Sequence, residues 1–145
     1  MPTNVANKPA VEFFFHSSSP SSYLALERVQ EPTIRTGARV IYRPVLVDDV
    51  LAMANPGFPA DRSDPVPARA RYQAKDLDDW ARYCGLTLRR PKPWPLRPEW
   101  AQRGVIAADE LTRQVTGGPA AYLAAVFAAL FADNRDISEL AVVEA

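Results

Sequence analysis

The pattern of apolar and polar residues near the N-terminus predicts a buried strand that ends at a run of serines. Residues 11–15 are short, aromatic and largely apolar, as expected for a strand inside a sheet. Four polar residues follow, and the segment 20–30 then has helical spacing, with Pro32 expected to end it. Ser19 is well placed as the N-cap of this helix because Pro20 suits its first position.

A second strand is predicted over residues 39–43, after a turn at Gly37 and before Pro44. Strand, helix and strand with short connections form a βαβ unit, so we expect parallel strands and an α/β fold. The Ser19 hydroxyl would then lie at the positive end of a helix, just beyond a strand. Parallel sheets often bind ligands at such a place, although a serine there can also be a helix cap and nothing more.

The pattern of the remaining residues predicts mainly helices joined by loops. We expect a short helix within 45–53, a long loop to Pro67 and a helix over 68–84 that ends at Gly85. Its apolar stripe is predicted to be Leu77, Trp80, Ala81 and Cys84.

Residues 88–98 are rich in proline, which favours an extended connector that lays Trp94 on the domain, with a partner-binding motif as the alternative. Further helices are predicted over 99–115 and 119–131. Asp136 and Glu139 resemble a capping box for a last helix from Ile137.

Composition narrows the class of protein. The 145 residues are enough for a hydrophobic core, and a formal net charge of zero gives no electrostatic footprint for nucleic acid or an anionic membrane. No apolar run is long enough to span a bilayer, and the N-terminus lacks the apolar core of a signal peptide. The single cysteine, Cys84, excludes an internal disulfide and argues against a metal cluster. We therefore expect a soluble cytoplasmic protein.

Several segments, in order, resemble one known family. The serine segment resembles the S-P-x-S-Y-L-A opening of 2-hydroxychromene-2-carboxylate isomerases and kappa-class glutathione transferases, in the DsbA-like branch of the thioredoxin fold. Later matches are Arg43-Pro44-Val45-Leu46, Asn55-Pro56, the segment from Pro67 to Tyr72 with Asp76-Leu77, and Phe127 to Phe131 with Arg135-Asp136-Ile137. The resemblance covers nearly all of the chain.

The resemblance implies a thioredoxin-like βαβ half over residues 1–50 and an inserted helical domain over 51–145. It implies glutathione as the cofactor, with Ser19 at the family's active serine and Asn55 and Arg69 at glutathione or substrate contacts. Arg69 stands for a lysine, which keeps the charge but changes the geometry. His16, Ser22 and Tyr72 are the candidates for the substrate pocket, and no metal is implied. His16 replaces the family's usual aspartate, so it is either a titrating group at the mouth of the site or an ordinary loop histidine.

The chemistry implied is an isomerisation through a glutathione thiolate that adds to an unsaturated aromatic carbonyl. A hydroxyl hydrogen bond and a helix N-terminus both favour a thiolate, so Ser19 would orient the sulfur without being the nucleophile. No cysteine lies between Ser19 and Ser22, and this excludes dithiol–disulfide chemistry at the motif.

Two other functions remain open. One is a degenerate, non-catalytic binding or scaffold protein of the same fold, because the family's C-terminal strands and cis-proline loop have no counterpart in this sequence. The other is an anion site at Ser19 with Arg43 or Arg69 nearby. The unpaired strand edges also predict association, most simply as a homodimer.

Overall fold

A computed structural model describes residues 9–57, 66–91, 96–111 and 118–144. Its elements, in chain order, are β1 (Ala10–Phe15), α1 (Pro20–Thr36), β2 (Arg39–Pro44), α2 (Val47–Ala54), α3 (Pro67–Cys84), α4 (Glu99–Leu111), α5 (Gly118–Phe127), a π-helical turn (Ala128–Ala132) and α6 (Leu140–Val143). Most of the loop expected before Pro67 and the connector residue Trp94 lie outside the described residues.

The predicted βαβ unit is confirmed. β1 and β2 pair in parallel, with Phe13 opposite Tyr42 and Phe15 opposite Pro44. Register partners in a parallel pair point to the same face, so these four side chains share one side of the sheet. Phe13 and Phe15 stack at 5.7 Å between ring centroids, and this face packs on the hydrophobic core.

The core is continuous across the predicted domain boundary at residue 50. Tyr23 of α1 stacks on Phe131 of the π-helical turn, with ring centroids 5.3 Å apart, and lies 5.5 Å from Phe127. Phe15, Leu26, Leu123 and Ile137 belong to the same buried cluster. The helices after residue 50 therefore supply the apolar surface that covers the βαβ unit, while the two-domain division itself stays a prediction.

The expected end of α1 at Pro32 is wrong, because the helix continues to Thr36. Pro32 lacks an N–H and disturbs the hydrogen bonds of the turn before it. Thr33 is buried and its hydroxyl donates to the carbonyls of Val29 (2.9 Å) and Gln30 (2.7 Å), which ties the residue after the proline to the preceding turn. Gly37 ends the helix with φ 69°, a left-handed conformation that favours glycine.

Two details of the later helices are also corrected. Of the stripe expected on α3, Ala81 is buried, whereas Trp80 is 48% exposed. Asp136 does not cap a helix at Ile137: its carboxylate accepts the Ser138 N–H at 2.8 Å within a turn, and α6 begins at Leu140. Ile137 is fully buried in the hydrophobic core.

The position of α4 depends on close packing against α5. A Cβ at Gly104 of α4 would lie 2.7 Å from Cε1 of Tyr122, so a side chain at this position would displace the ring. The glycine thus allows the two helices to approach closely. This contact holds α4 beside the end of β2, where α4 also meets the run of serines after β1 (residues 16–19).

Candidate functional site

The serine loop (residues 16–19) is a tight connection between β1 and α1. The Ser19 N–H donates to the His16 carbonyl at 2.9 Å, which turns the chain directly after the strand. Ser19 is the N-cap of α1, with φ −90° and ψ 119°, and its Oγ accepts the Ser22 N–H at 3.3 Å. The predicted cap is confirmed, and Pro20 holds the first helical position as expected.

Ser22 fixes the loop from the other side. Its Oγ accepts the His16 N–H at 3.2 Å and its N–H donates to Ser19 Oγ, so Ser22 bonds both ends of the loop. His16 is only 2% exposed, and its Nδ1 lies 3.0 Å from the Ser18 Oγ. His16 is therefore part of the packed interior of the loop and does not lie at an open mouth.

Gln102 of α4 joins the loop to the end of β2. The Ser17 hydroxyl donates to Gln102 Oε1 at 2.6 Å, and Gln102 Nε2 donates to the Val45 carbonyl at 2.9 Å. The Val45 N–H in turn donates to the Phe15 carbonyl at 2.9 Å. Because Gln102 and Ser17 are both nearly inaccessible to water, these bonds hold the loop where solvent cannot replace them.

The sequence analysis did not identify Gln102. One signal was available: Gln102 lies beside Ala101 and three residues before Val105, on the side of α4 that is buried. A polar residue among apolar helix positions indicates a buried hydrogen-bond partner, but it does not say which partner.

The electrostatics of the loop favour a negative ligand. α1 has 17 residues and no acidic side chain in its first turn, so nothing in that turn offsets the positive end of the helix dipole. Burial, together with the carboxylate of Glu27, raises the pKa of Tyr23 on this helix. The loop therefore places a neutral hydroxyl, Ser19, at a positive helix end.

Comparison with known proteins identifies the family. The sequence matches the DSBA-like thioredoxin domain over residues 10–145. The chain belongs to the DsbA-like thioredoxin domain family. No curated protein sequence shows significant similarity to it.

The structure of this DsbA-like domain is also similar to a solved one, that of selenomethionine 2-hydroxychromene-2-carboxylate isomerase. The TM-score is 0.75 at 23% sequence identity, over 93% of the present chain and 64% of the isomerase chain. At this identity the match shows the fold, and the thioredoxin-like architecture expected from the sequence is confirmed. The chain thus spans a little under two thirds of the length of its structural relative.

The remaining predicted site residues of the DsbA-like domain lie on its surface. Asn55 is the C-cap of α2 and is exposed, and Arg69 is exposed in the first turn of α3. Tyr72, one turn further along α3, is 69% exposed. The structure therefore brings Ser19, Ser22 and His16 into one hydrogen-bonded loop, while the roles of Asn55, Arg69 and Tyr72 stay predictions.

Arg43, one of the two cations considered for an anion at Ser19, is engaged elsewhere. Its Nε lies 3.1 Å from Glu12 Oε2, and both residues point to the sheet face opposite Phe13 and Phe15. Among the described residues, no group of three or more His, Cys, Asp or Glu side chains could hold a metal ion. No described helix combines the length and apolar character needed to cross a membrane.

Proposed function

We propose that this DsbA-like domain is a glutathione-dependent isomerase acting on an unsaturated aromatic carbonyl or chromene-carboxylate type of substrate. One observation carries the proposal: the Ser19 hydroxyl caps a long helix directly after a strand, within a segment that contains no cysteine. The similarity in fold to an isomerase supports the reaction class.

The two roles of Ser19, helix cap and thiolate partner, are compatible. As a cap, Oγ accepts the Ser22 N–H through a lone pair, and the O–H bond is still able to donate to an anionic ligand. Donation to a thiolate and the helix dipole both stabilise the charged sulfur, so Ser19 would lower the pKa of a bound thiol. The serine loop would hold this hydroxyl in place through Ser22 and Gln102.

Bound glutathione would supply a thiolate that adds reversibly to a conjugated carbonyl and so permits rotation about the former double bond. The chain's own residues would bind and orient the tripeptide. Arg69 would pair with a glutathione carboxylate and Asn55 would bind a backbone group, and both are accessible at the surface. Glutathione also requires a reducing compartment, which is consistent with a cytoplasmic protein.

The test is a calorimetric titration with glutathione, followed by ultraviolet absorbance of the bound thiolate as a function of pH. Wild type should bind glutathione at millimolar concentrations or below and lower its thiol pKa. Ser19→Ala should abolish the pKa shift, and Ser19→Asp keeps a good N-cap but places a like charge beside the sulfur, so it should also abolish the shift. The absence of glutathione binding in wild type would refute the proposal.

A second candidate is a non-catalytic binding or scaffold protein of the same fold. It is favoured by the packing of the loop, because the side chains of His16, Ser17 and Ser18 are buried and hydrogen-bonded inside the protein. The two candidates differ in turnover. Glutathione binding with a lowered thiol pKa but no isomerisation of 2-hydroxychromene-2-carboxylate would favour the binding protein.

We also propose that the chain forms a homodimer. Parallel sheets are normally covered on both faces, yet Phe14, on the face of β1 opposite Phe13 and Phe15, is 63% exposed. Burial of Phe14 in a second copy would remove this apolar surface from water. Light scattering should give the mass of a dimer, and Phe14→Glu should give a folded monomer, whereas a monomeric wild type would refute the dimer.

A further inference from the structure

A small cleft lies between α4 and the end of β2, next to the serine loop. Pro44 and Leu46 form one wall. The other wall is one face of α4, formed by residues with the helical spacing i, i+3, i+4 and i+7: Glu99, Gln102, Arg103 and Ile106. The cleft has a volume of about 220 Å³ and is open to solvent.

The cleft combines apolar walls with a cation. Pro44, Leu46 and Ile106 provide apolar surface. Glu99 is paired at the surface with Arg97, with Oε1 and Nε 3.2 Å apart. Arg103 lies with its guanidinium carbon 5.3 Å from the centroid of the Trp100 ring, and within the described part of the chain no carboxylate is in ion-pair contact with it.

We propose that this cleft binds an aromatic carboxylate, with Arg103 pairing with the carboxylate and Leu46 and Ile106 packing on the ring. Arg suits this ligand because its planar fork can bind both carboxylate oxygens at once. The size also fits: an apolar cavity of about 150 Å³ is enough to hold benzene. A ligand of one ring with a carboxylate therefore matches the volume and chemistry of the cleft.

The cleft also connects to the serine loop. Gln102 lines it and is hydrogen-bonded to both the Ser17 hydroxyl and the Val45 carbonyl. A carboxylate bound to Arg103 would thus lie next to Gln102, the residue that holds the loop in place. That this carboxylate belongs to the substrate of an isomerase rests on the function proposed above, whereas the binding of an aromatic carboxylate does not.

The test is a titration of the isotopically labelled full chain with benzoate, followed by backbone amide chemical shifts in the absence of glutathione. Benzamide, which has the same shape without the charge, is the comparison ligand. We expect benzoate to shift amides of residues 44–46 and of α4, and to bind about tenfold more tightly than benzamide. Arg103→Gln should remove this preference, whereas Arg35→Gln, at an exposed arginine of α1 that does not line the cleft, should keep it.

Equal binding of benzoate and benzamide, shifts centred elsewhere, or an unchanged preference in Arg103→Gln would overturn the proposal. Ile106→Asp places a negative charge in the cleft at a half-exposed position and should also prevent benzoate binding, with amide spectra showing whether the fold is kept. Benzoate binding without glutathione binding would support the cleft and refute the isomerase. Glutathione binding without benzoate binding would refute the cleft proposal and leave the isomerase proposal supported.

Discussion

The serine loop and the outer face of α3 are both rich in polar side chains, but they differ in burial. In the loop, Ser17, Ser18 and His16 are each at most 3% exposed, and their hydrogen bonds lie inside the protein. On α3, Lys75, Asp79 and Arg82 form ion pairs along one helix at the surface. Loss of a partner in the loop leaves a buried group unsatisfied, whereas on α3 water replaces the lost partner.

The two regions also differ in how far their contacts reach along the chain. The Ser17–Gln102 bond joins residues 85 positions apart, while the α3 pairs join residues three or four apart. A buried long-range bond therefore fixes tertiary geometry, which a functional site requires. The local pairs on α3 support the helix without setting its position.

The largest difference between the regions should come from substitution of Gln102. Gln102→Leu leaves the Ser17 hydroxyl and the Val45 carbonyl without their partner, and should lower the free energy of unfolding by about 2–3 kcal/mol. Gln73→Leu, at an exposed position of α3, is the matched control and should change it by less than about 0.5 kcal/mol. Chemical denaturation measures both, and equal effects would contradict the distinction drawn between the two regions.

A smaller effect on the free energy of unfolding is expected from substitution of Ser19, the helix cap. Ser19→Ala removes the acceptor for the Ser22 N–H and should cost about 1 kcal/mol of stability, while Ser19→Asp should restore most of it. Ser21→Ala, in the same turn but exposed, serves as the control and should have little effect. If Ser19→Ala proves as stable as wild type, the cap is not a determinant of the loop.

Alkaline pH should also act on the buried region first. Burial, with a contribution from Glu27, raises the pKa of Tyr23 in the folded state above the usual value of 10.0. A raised pKa means that the folded protein favours the neutral phenol, so stability is full below pH 10 and is lost as the pH rises above it. Burial also raises the pKa of Tyr42 and Tyr122, so Tyr23→Phe should reduce this loss, but not remove it, in thermal melts between pH 8 and 11. Tyr72→Phe, at an exposed tyrosine, is the control for removal of a hydroxyl.

The smallest effect on stability is expected from removal of an ion pair on α3. The hydrogen bond from Lys75, followed by that from Arg82, lowers the pKa of Asp79, so its contribution is present at neutral pH and is lost as the pH falls through the folded-state pKa. Because the ion pair lies at the surface, Lys75→Ala should change the melting temperature by little more than the measurement error, and added salt should remove the difference. A clear loss of stability that persists in high salt would contradict this view of α3.

Local features of the site could be predicted from sequence because neighbouring residues determine them. The strand before the serines, the Ser19 cap, Pro20 at the first helical position and the end of α3 at Gly85 all depend on short-range bonds or backbone conformation. The resemblance of ordered motifs also indicated the thioredoxin-like fold. The strand end, the helix cap and the helix end are each determined by residues only a few positions apart.

What the sequence could not determine depends on contacts between distant residues. Only the tertiary structure placed Gln102 against Ser17, buried His16, left Trp80 at the surface and let α1 continue past Pro32 to bury Thr33. The physical reason is that burial turns a polar group from one that water can satisfy into one that needs a specific partner. The amino-acid sequence by itself specified the serine and its helix, and the fold decided which side chains hold them in place.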